Sequence, residues 1–140
     1  MFNVKIKDIE FKNPIIASSG TFGYGYEVAD FVDLSKIGCV ITKSITFNPR
    51  EGNLSPRILE AEAGMINAIG LANVGVKRFC QEKIPKLNNN NTNFIISIAG
   101  EQMKEYIDVM NFIEQCDSDH VGYEINVSCP NTEKGGMEFG

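Results

Sequence analysis

Residues 94–127 read FIISIAGEQMKEYIDVMNFIEQCDSDHVGYEINV, and they carry the repeating unit of the chain. Phe94 to Ala99 is an apolar run broken only by Ser97, which predicts a strand buried on both faces. Met103, Tyr106, Ile107, Met110 and Ile113 then recur at helical spacing and predict a helix with one apolar face. Val121 to Val127 returns to an apolar run and predicts another buried strand. Strand, helix and strand in that order call for a parallel pair with the helix as crossover.

Upstream, Pro14 to Ser18 and Cys39 to Lys43 are two more short apolar runs, each followed by polar or glycine-bearing turns. Tyr26 to Leu34 is a short helical candidate between them. The interval from Ser44 to Asn93 is too long for one crossover. It begins with turn formers, Asn48-Pro49, Gly52-Asn53 and Ser55-Pro56, which predict an excursion above the sheet, and a helix is expected from about Val76 to Leu87. Asn88 to Asn91 reads as a solvated loop. Val4 to Ile6 and Ile9 to Phe11, around Lys7-Asp8, predict a small hairpin that could plug one end of a barrel. The class is therefore α/β, with four βα units, half of an eight-unit barrel that typically needs about 250 residues. Residues 1–140 are expected to be the N-terminal part of one barrel domain, ending in the loop after its fourth strand.

Composition excludes several functions. The net charge of −5 offers no basic face for phosphates, so no nucleic-acid partner is expected. The start, MFNVKIKDIEFKNP, alternates apolar and charged residues without a signal-peptide core or membrane anchor, which points to the cytoplasm. Cys39, Cys80, Cys116 and Cys129 form no CxxC pair and are expected to be free thiols, with no metal site. His120 is the single histidine, so any Ser/His/Asp or Cys/His scheme would run through it. Its place at the start of an apolar strand favours a structural role. Neither GxGxxG nor GxxxxGK[ST] occurs.

Polar residues out of character for buried strands collect at the ends of the four runs: Ser18 and Ser19, then Lys43 and Ser44, then Ser97, then Asn126 with Ser128 and Cys129. In a parallel α/β fold the carboxyl edge of the sheet holds the active site. Each residue also has a plain structural account. Lys43 could snorkel its ammonium to solvent; beside a flavin it could hold an anionic substrate or the ring. Asn67, within Gly64 to Leu71, could be turn chemistry, or its amide could match the donor and acceptor edge of a pyrimidine. Glu124 and Asn126 share one side of their strand by its two-residue period and should point into the barrel. Cys129 could be an inert core thiol; on a strand-end loop stiffened by Pro130 it could also serve as a general base. Gly135 and Gly136 supply either a lid or an ordinary flexible loop.

Taken in order, Ser18-Ser19-Gly20-Thr21-Phe22-Gly23, Thr42 to Thr46, Pro49 to Asn53, Gly64 to Leu71, and Asn126 to Asn131 followed by Gly135-Gly136-Met137 resemble class 1 dihydroorotate dehydrogenases. GMINAIGL and NVSCPN with GGMEFG look like class 1B, whose catalytic subunit works with a second subunit carrying FAD and an iron-sulfur cluster and passing electrons to NAD. The resemblance covers essentially all 140 residues. It implies the N-terminal half of an FMN-binding (β/α)8 TIM barrel, acting on dihydroorotate in pyrimidine synthesis, as a homodimer within a heterotetramer. By the same resemblance Ser19, Lys43, Ser44, Ser97 and Asn126 would contact FMN. Lys43, Asn67, Ala68, Ile69, Gly70, Leu71, Asn126 and Asn131 would hold orotate, and Cys129 would be the base that removes the C5 proton. A cysteine there differs from the membrane-associated class 2 enzymes, which use serine and carry an N-terminal targeting extension.

Two departures bear on these expectations. Relatives commonly have asparagine where this chain has Ser97, so that contact is shorter or replaced by water. The lysine and glycine-rich loops that hold the FMN phosphate in this family belong to the second half of the barrel, so residues 1–140 alone are expected to bind FMN weakly and to be inactive. Two alternatives stand beside the enzyme: an inert half-barrel that associates through open sheet edges, and a related FMN barrel of the dihydropyrimidine dehydrogenase type.

Overall fold

The fold, taken from a computed structural model, is described for residues 2–127. Eight strands form three sheets. The hairpin at the start pairs β1 (Val4–Ile6) with β2 (Ile9–Phe11) antiparallel, as expected from the Lys7-Asp8 turn. The main sheet is wholly parallel and runs β3 (Ile16–Ala17), β4 (Cys39–Ile41), β7 (Asn93–Ile98) and β8 (Gly122–Ile125) in spatial order. Each strand lies beside the next one of that sheet in the chain. The α/β class and the parallel sheet read from the sequence are both present.

Between β4 and β7 the chain makes a second antiparallel hairpin, β5 (Ile58–Ala61) with β6 (Gly64–Asn67), which the apolar pattern did not signal. A continuous helical stretch follows: α1 (Gly75–Arg78), a π-helical turn (Phe79–Lys83) and α2 (Ile84–Asn88). The helix expected over 76–87 is thus there, with one wide turn inside it. The last crossover is α3 (Met103–Ile113), whose first turn is held by Glu105 Oε2 accepting from the Gln102 N–H at 3.2 Å.

The core lies between the helices and one face of the sheet. Phe94, Ile96 and Ile98 of β7 alternate toward Val76, Phe79, Ile84 and Leu87 of the helical stretch and Tyr106, Val109 and Ile113 of α3. Three expectations need correction. Tyr26 to Leu34 is not a helix: only 3-10 turns form, at Tyr26–Val28 and Leu34–Lys36. Phe31 between them is exposed, and a short helix with no apolar face to bury is not stable by itself. The apolar stripe of α3 is rotated from the one read in the sequence, because Met103 and Ile107 are 75% and 50% exposed while Val109 is buried. The outer strands, finally, are not buried on both faces. Ile15 and Ile16 at one edge and Ile125 at the other are exposed, whereas the inner β4 and β7 are mostly buried, with Ile41, Asn93 and Ile95 half-buried.

The starting hairpin sits at the amino end of the sheet, where Asn93 Nδ2 donates to the Glu10 carbonyl at 2.8 Å. The asparagine loop lies at the same end: Asn88 Nδ2 donates to Asp117 O at 2.9 Å. The candidate residues among those described are at the opposite end. Among the described residues no helix is long and apolar enough to cross a membrane.

Candidate functional site

The chemistry begins with the alternation of β7 and β8. Phe94, Ile96 and Ile98 face the helices, so Ser97 faces the other way. In parallel register Ser97 lies opposite Glu124, placing both on the polar face. Asn126 comes two residues after Glu124 and belongs to the same side, as the strand period requires.

Five side chains from four strand ends join in one hydrogen-bonded line. Ser19 Oγ donates to Glu124 Oε1 at 2.6 Å, and Ser97 Oγ donates to the same oxygen at 2.7 Å. Ser44 Oγ lies 2.8 Å from Ser97 Oγ, and Asn126 Nδ2 donates to Ser44 Oγ at 2.9 Å. Ser44 and Ser97 are buried. Four residues singled out in the sequence, Ser19, Ser44, Ser97 and Asn126, are therefore brought together, and Ser97 lies beneath Ser44 rather than at the surface of the site.

The Ser19 to Glu124 contact also reports the shape of the sheet. Ser19 follows β3 and Glu124 sits on β8, the first and fourth strands in spatial order. In a flat sheet these strands lie about 14 Å apart, at roughly 4.8 Å per step. A direct 2.6 Å bond between their side chains requires the sheet to curl toward its polar face.

The backbone fixes the ends of this line. The Asn126 N–H donates to Ile98 O at 2.9 Å, and its carbonyl accepts from Tyr106 Oη at 2.8 Å. Lys43 stands just past β4, between Thr42 and Ser44, half-buried, with its N–H donating to Gly23 O at 2.7 Å.

Asn67, Ala68, Ile69, Gly70 and Leu71 lie on the excursion that follows the β4 end. Asn67 closes β6 opposite Ile58 and is exposed. The segment is clamped from below: Asn53 Nδ2 donates to Ala68 O at 2.8 Å, the Asn53 N–H to Ile69 O at 3.1 Å, and the Ala68 N–H to Arg57 O at 2.9 Å. Gly70 has φ 72°, and a Cβ there would stand 2.8 Å from the Asn53 amide, so the close approach requires glycine. Buried Asn73 ties the segment to the strand end that bears Ser44. Its Oδ1 accepts from the N–H groups of Thr46 (3.3 Å) and Gly75 (2.8 Å), and its Nδ2 donates to Thr46 Oγ1 and Leu71 O, each at 2.8 Å. Arg50 pairs with Glu101 at 3.0 Å, joining the excursion to the loop after β7.

Cys129 and Asn131, together with Ser128, Pro130 and the Gly135-Gly136 loop, lie outside the described residues. The other cysteines are free thiols. Burial pushes Cys39 up to about 11, and burial with the neighbouring Cys116 thiol pushes Cys80 up to about 12, so neither supplies a thiolate near neutral pH. His120 has a structural setting: Nδ1 lies 3.0 Å from Ser118 Oγ, its ring packs edge-on against Tyr123, and burial lowers its pKa.

Sequence reasoning gave no role to Glu124, Tyr106 or Asn73. Glu124 was legible in direction from strand alternation. The Tyr106 hydroxyl was hidden inside an apolar stripe, and the tie from Asn73 to Thr46 was not visible because the two are 27 residues apart.

Comparison with known proteins shows the family of the chain. The sequence pattern of the family described as Dihydroorotate dehydrogenase matches residues 1–140. The chain is 48% identical over 138 residues to a protein of Aquifex aeolicus named putative dihydroorotate dehydrogenase A (fumarate), covering 99% of this chain and 45% of that one. It is 45% identical, with the same coverage, to a protein of Geotalea uraniireducens named dihydroorotate dehydrogenase B (NAD(+)), catalytic subunit. A Pelobacter propionicus protein of that same name is 45% identical over 137 residues, 98% of this chain and 45% of the relative. The chain thus spans less than half the length of these curated relatives. Matched along its whole length by the family pattern, it belongs to the dihydroorotate dehydrogenase family.

Proposed function

We propose that the protein oxidises dihydroorotate to orotate in de novo pyrimidine synthesis, with FMN held at the carboxyl edge of a (β/α)8 barrel whose N-terminal half is residues 1–140. The observation that carries this is the line from Ser19 through Glu124, Ser97 and Ser44 to Asn126, which crosses the concave face from the first to the last strand of the sheet. Barrel interiors are ordinarily filled by bulky branched side chains. A run of hydroxyls, a carboxylate and an amide at one end of the strands, buried at Ser44 and Ser97 and half-buried at Ser19, Glu124 and Asn126, suits a ligand rich in carbonyl, N–H and hydroxyl groups, as a flavin is.

In this assignment Ser19, Lys43, Ser44 and Asn126 contact FMN, and Ser97 supports them from beneath. Lys43 also offsets the carboxylate of the substrate. Asn67, Ala68, Ile69, Gly70 and Leu71, with Asn126 and Asn131, match the polar edge of the pyrimidine. A flavin held there would supply the acceptor for the hydride from C6 of dihydroorotate. The Cys129 thiolate takes the C5 proton, a task suited to a thiol whose ordinary pKa of about 8.5 leaves a reactive fraction near neutral pH. The words catalytic subunit in the names of the relatives support a partner subunit; we infer that it relays electrons through FAD and an iron-sulfur cluster to NAD, within a heterotetramer built on a homodimer. We assign the protein to the cytoplasm.

The test is Cys129→Ser. Flavin reduction by dihydroorotate, followed anaerobically by absorbance, should slow strongly near neutral pH and recover partly as pH rises, because a serine hydroxyl is far harder to deprotonate. An unchanged rate removes Cys129 from the role of base. One observation favours a second reading for residues 1–140 in isolation: both outer strands of the sheet expose isoleucines, so that polypeptide should pair edge to edge. A colourless oligomer on sizing chromatography supports this inert half-barrel; a yellow species that dihydroorotate bleaches rules it out.

A further inference from the structure

Glu124 has so far been given only a place in the line. Its Oε1 accepts the hydroxyl protons of both Ser19 and Ser97. Ser97 has a single hydroxyl proton and it is committed, so the proton in the 2.8 Å contact between Ser97 and Ser44 comes from Ser44. Ser44 can then only accept at its other contact, which is with Asn126 Nδ2, a donor. A hydroxyl can point its proton either way, and a primary amide can present either end. One acceptor at the end of the line selects a single orientation for all of them.

Resting on the flavin reading above, we propose that Glu124 is the positioning residue of the site, holding the Asn126 amide with its nitrogen on Ser44 and leaving the Ser19 oxygen only acceptor capacity. The ligand class follows from that polarity. At Ser19 a ligand meets lone pairs. At the Ser19 end of the line the bound molecule must therefore bring an N–H or O–H group rather than a bare carbonyl.

The test measures FMN binding to the flavin-free protein by quenching of flavin fluorescence. Glu124→Gln keeps an acceptor oxygen and should stay within about threefold of wild type. Glu124→Ala removes the acceptor and should weaken binding by about ten- to hundredfold. Made in a background lacking both oriented groups, Ser19→Ala with Asn126→Ala, Glu124→Ala should cost less than about threefold, because the groups it orients are gone. Should Glu124→Ala fail to fold, Ser97→Ala cuts the line without touching the carboxylate and should show the same dependence on Asn126. Equal losses in both backgrounds, or Glu124→Gln as weak as Glu124→Ala, overturn the positioning role while leaving the flavin reading intact. A wild type that binds no FMN overturns both.

Discussion

Polar residues at strand ends were legible because they are out of character there: Ser19, Ser44, Ser97 and Asn126 each interrupt or close an apolar run, and all four meet in one line. Their partners were not legible, since a contact such as Ser19 with Glu124 spans 105 residues and depends on sheet curvature. Asn73 gives the sharpest prediction at this scale. Asn73→Ala leaves the Thr46 and Gly75 N–H groups without their acceptor in a buried setting, a cost of about 2 to 4 kcal/mol, to be read from urea unfolding. His120 gives a pH dependence. Burial lowers its pKa in the fold despite the opposing Glu114 carboxylate 3.5 Å from Nε2, so the unfolded chain binds the proton more readily. The contribution of His120 is present above about pH 6.5, its unfolded value, and is lost as pH falls below it. His120→Gln should therefore show a shallower loss of stability between about pH 7 and pH 5 than wild type, measured by paired urea melts.

Elements were legible where periodicity coincided with burial. β7 and α3 fall within a residue of their expected spans, and the helix expected over 76–87 differs only by its π-helical turn. The orientation of α3 was not legible, because Met103 and Ile107 lie at helical spacing with Tyr106 and yet face outward. Ile113→Ala, at a position with 0% exposure, should cost about 2 to 4 kcal/mol, whereas Ile107→Ala should stay within about 0.5 kcal/mol. Equal losses for the two would contradict the observed face. The β5–β6 hairpin was missed for a related reason: Ile58, Leu59, Met65 and Ile66 are all exposed, so no in-and-out alternation marks its strands. The Asn67 to Leu71 segment acquires its shape from Asn53 and Asn73 together with the positive φ of its own Gly70.

For the molecule as a whole, the order of strands was readable from the βα repeat, and the curl that brings the first strand end to the last was not. That curl gives the site its concavity, and Glu124 bridges it. If the concave edge holds FMN for dihydroorotate chemistry, the electrons taken from the substrate must appear on the flavin. The direct measurement is anaerobic titration of the FMN-loaded protein with dihydroorotate, following flavin absorbance and orotate together. We predict bleaching of the oxidised flavin with one orotate formed per flavin reduced; flavin that stays oxidised in excess dihydroorotate would contradict the proposed function.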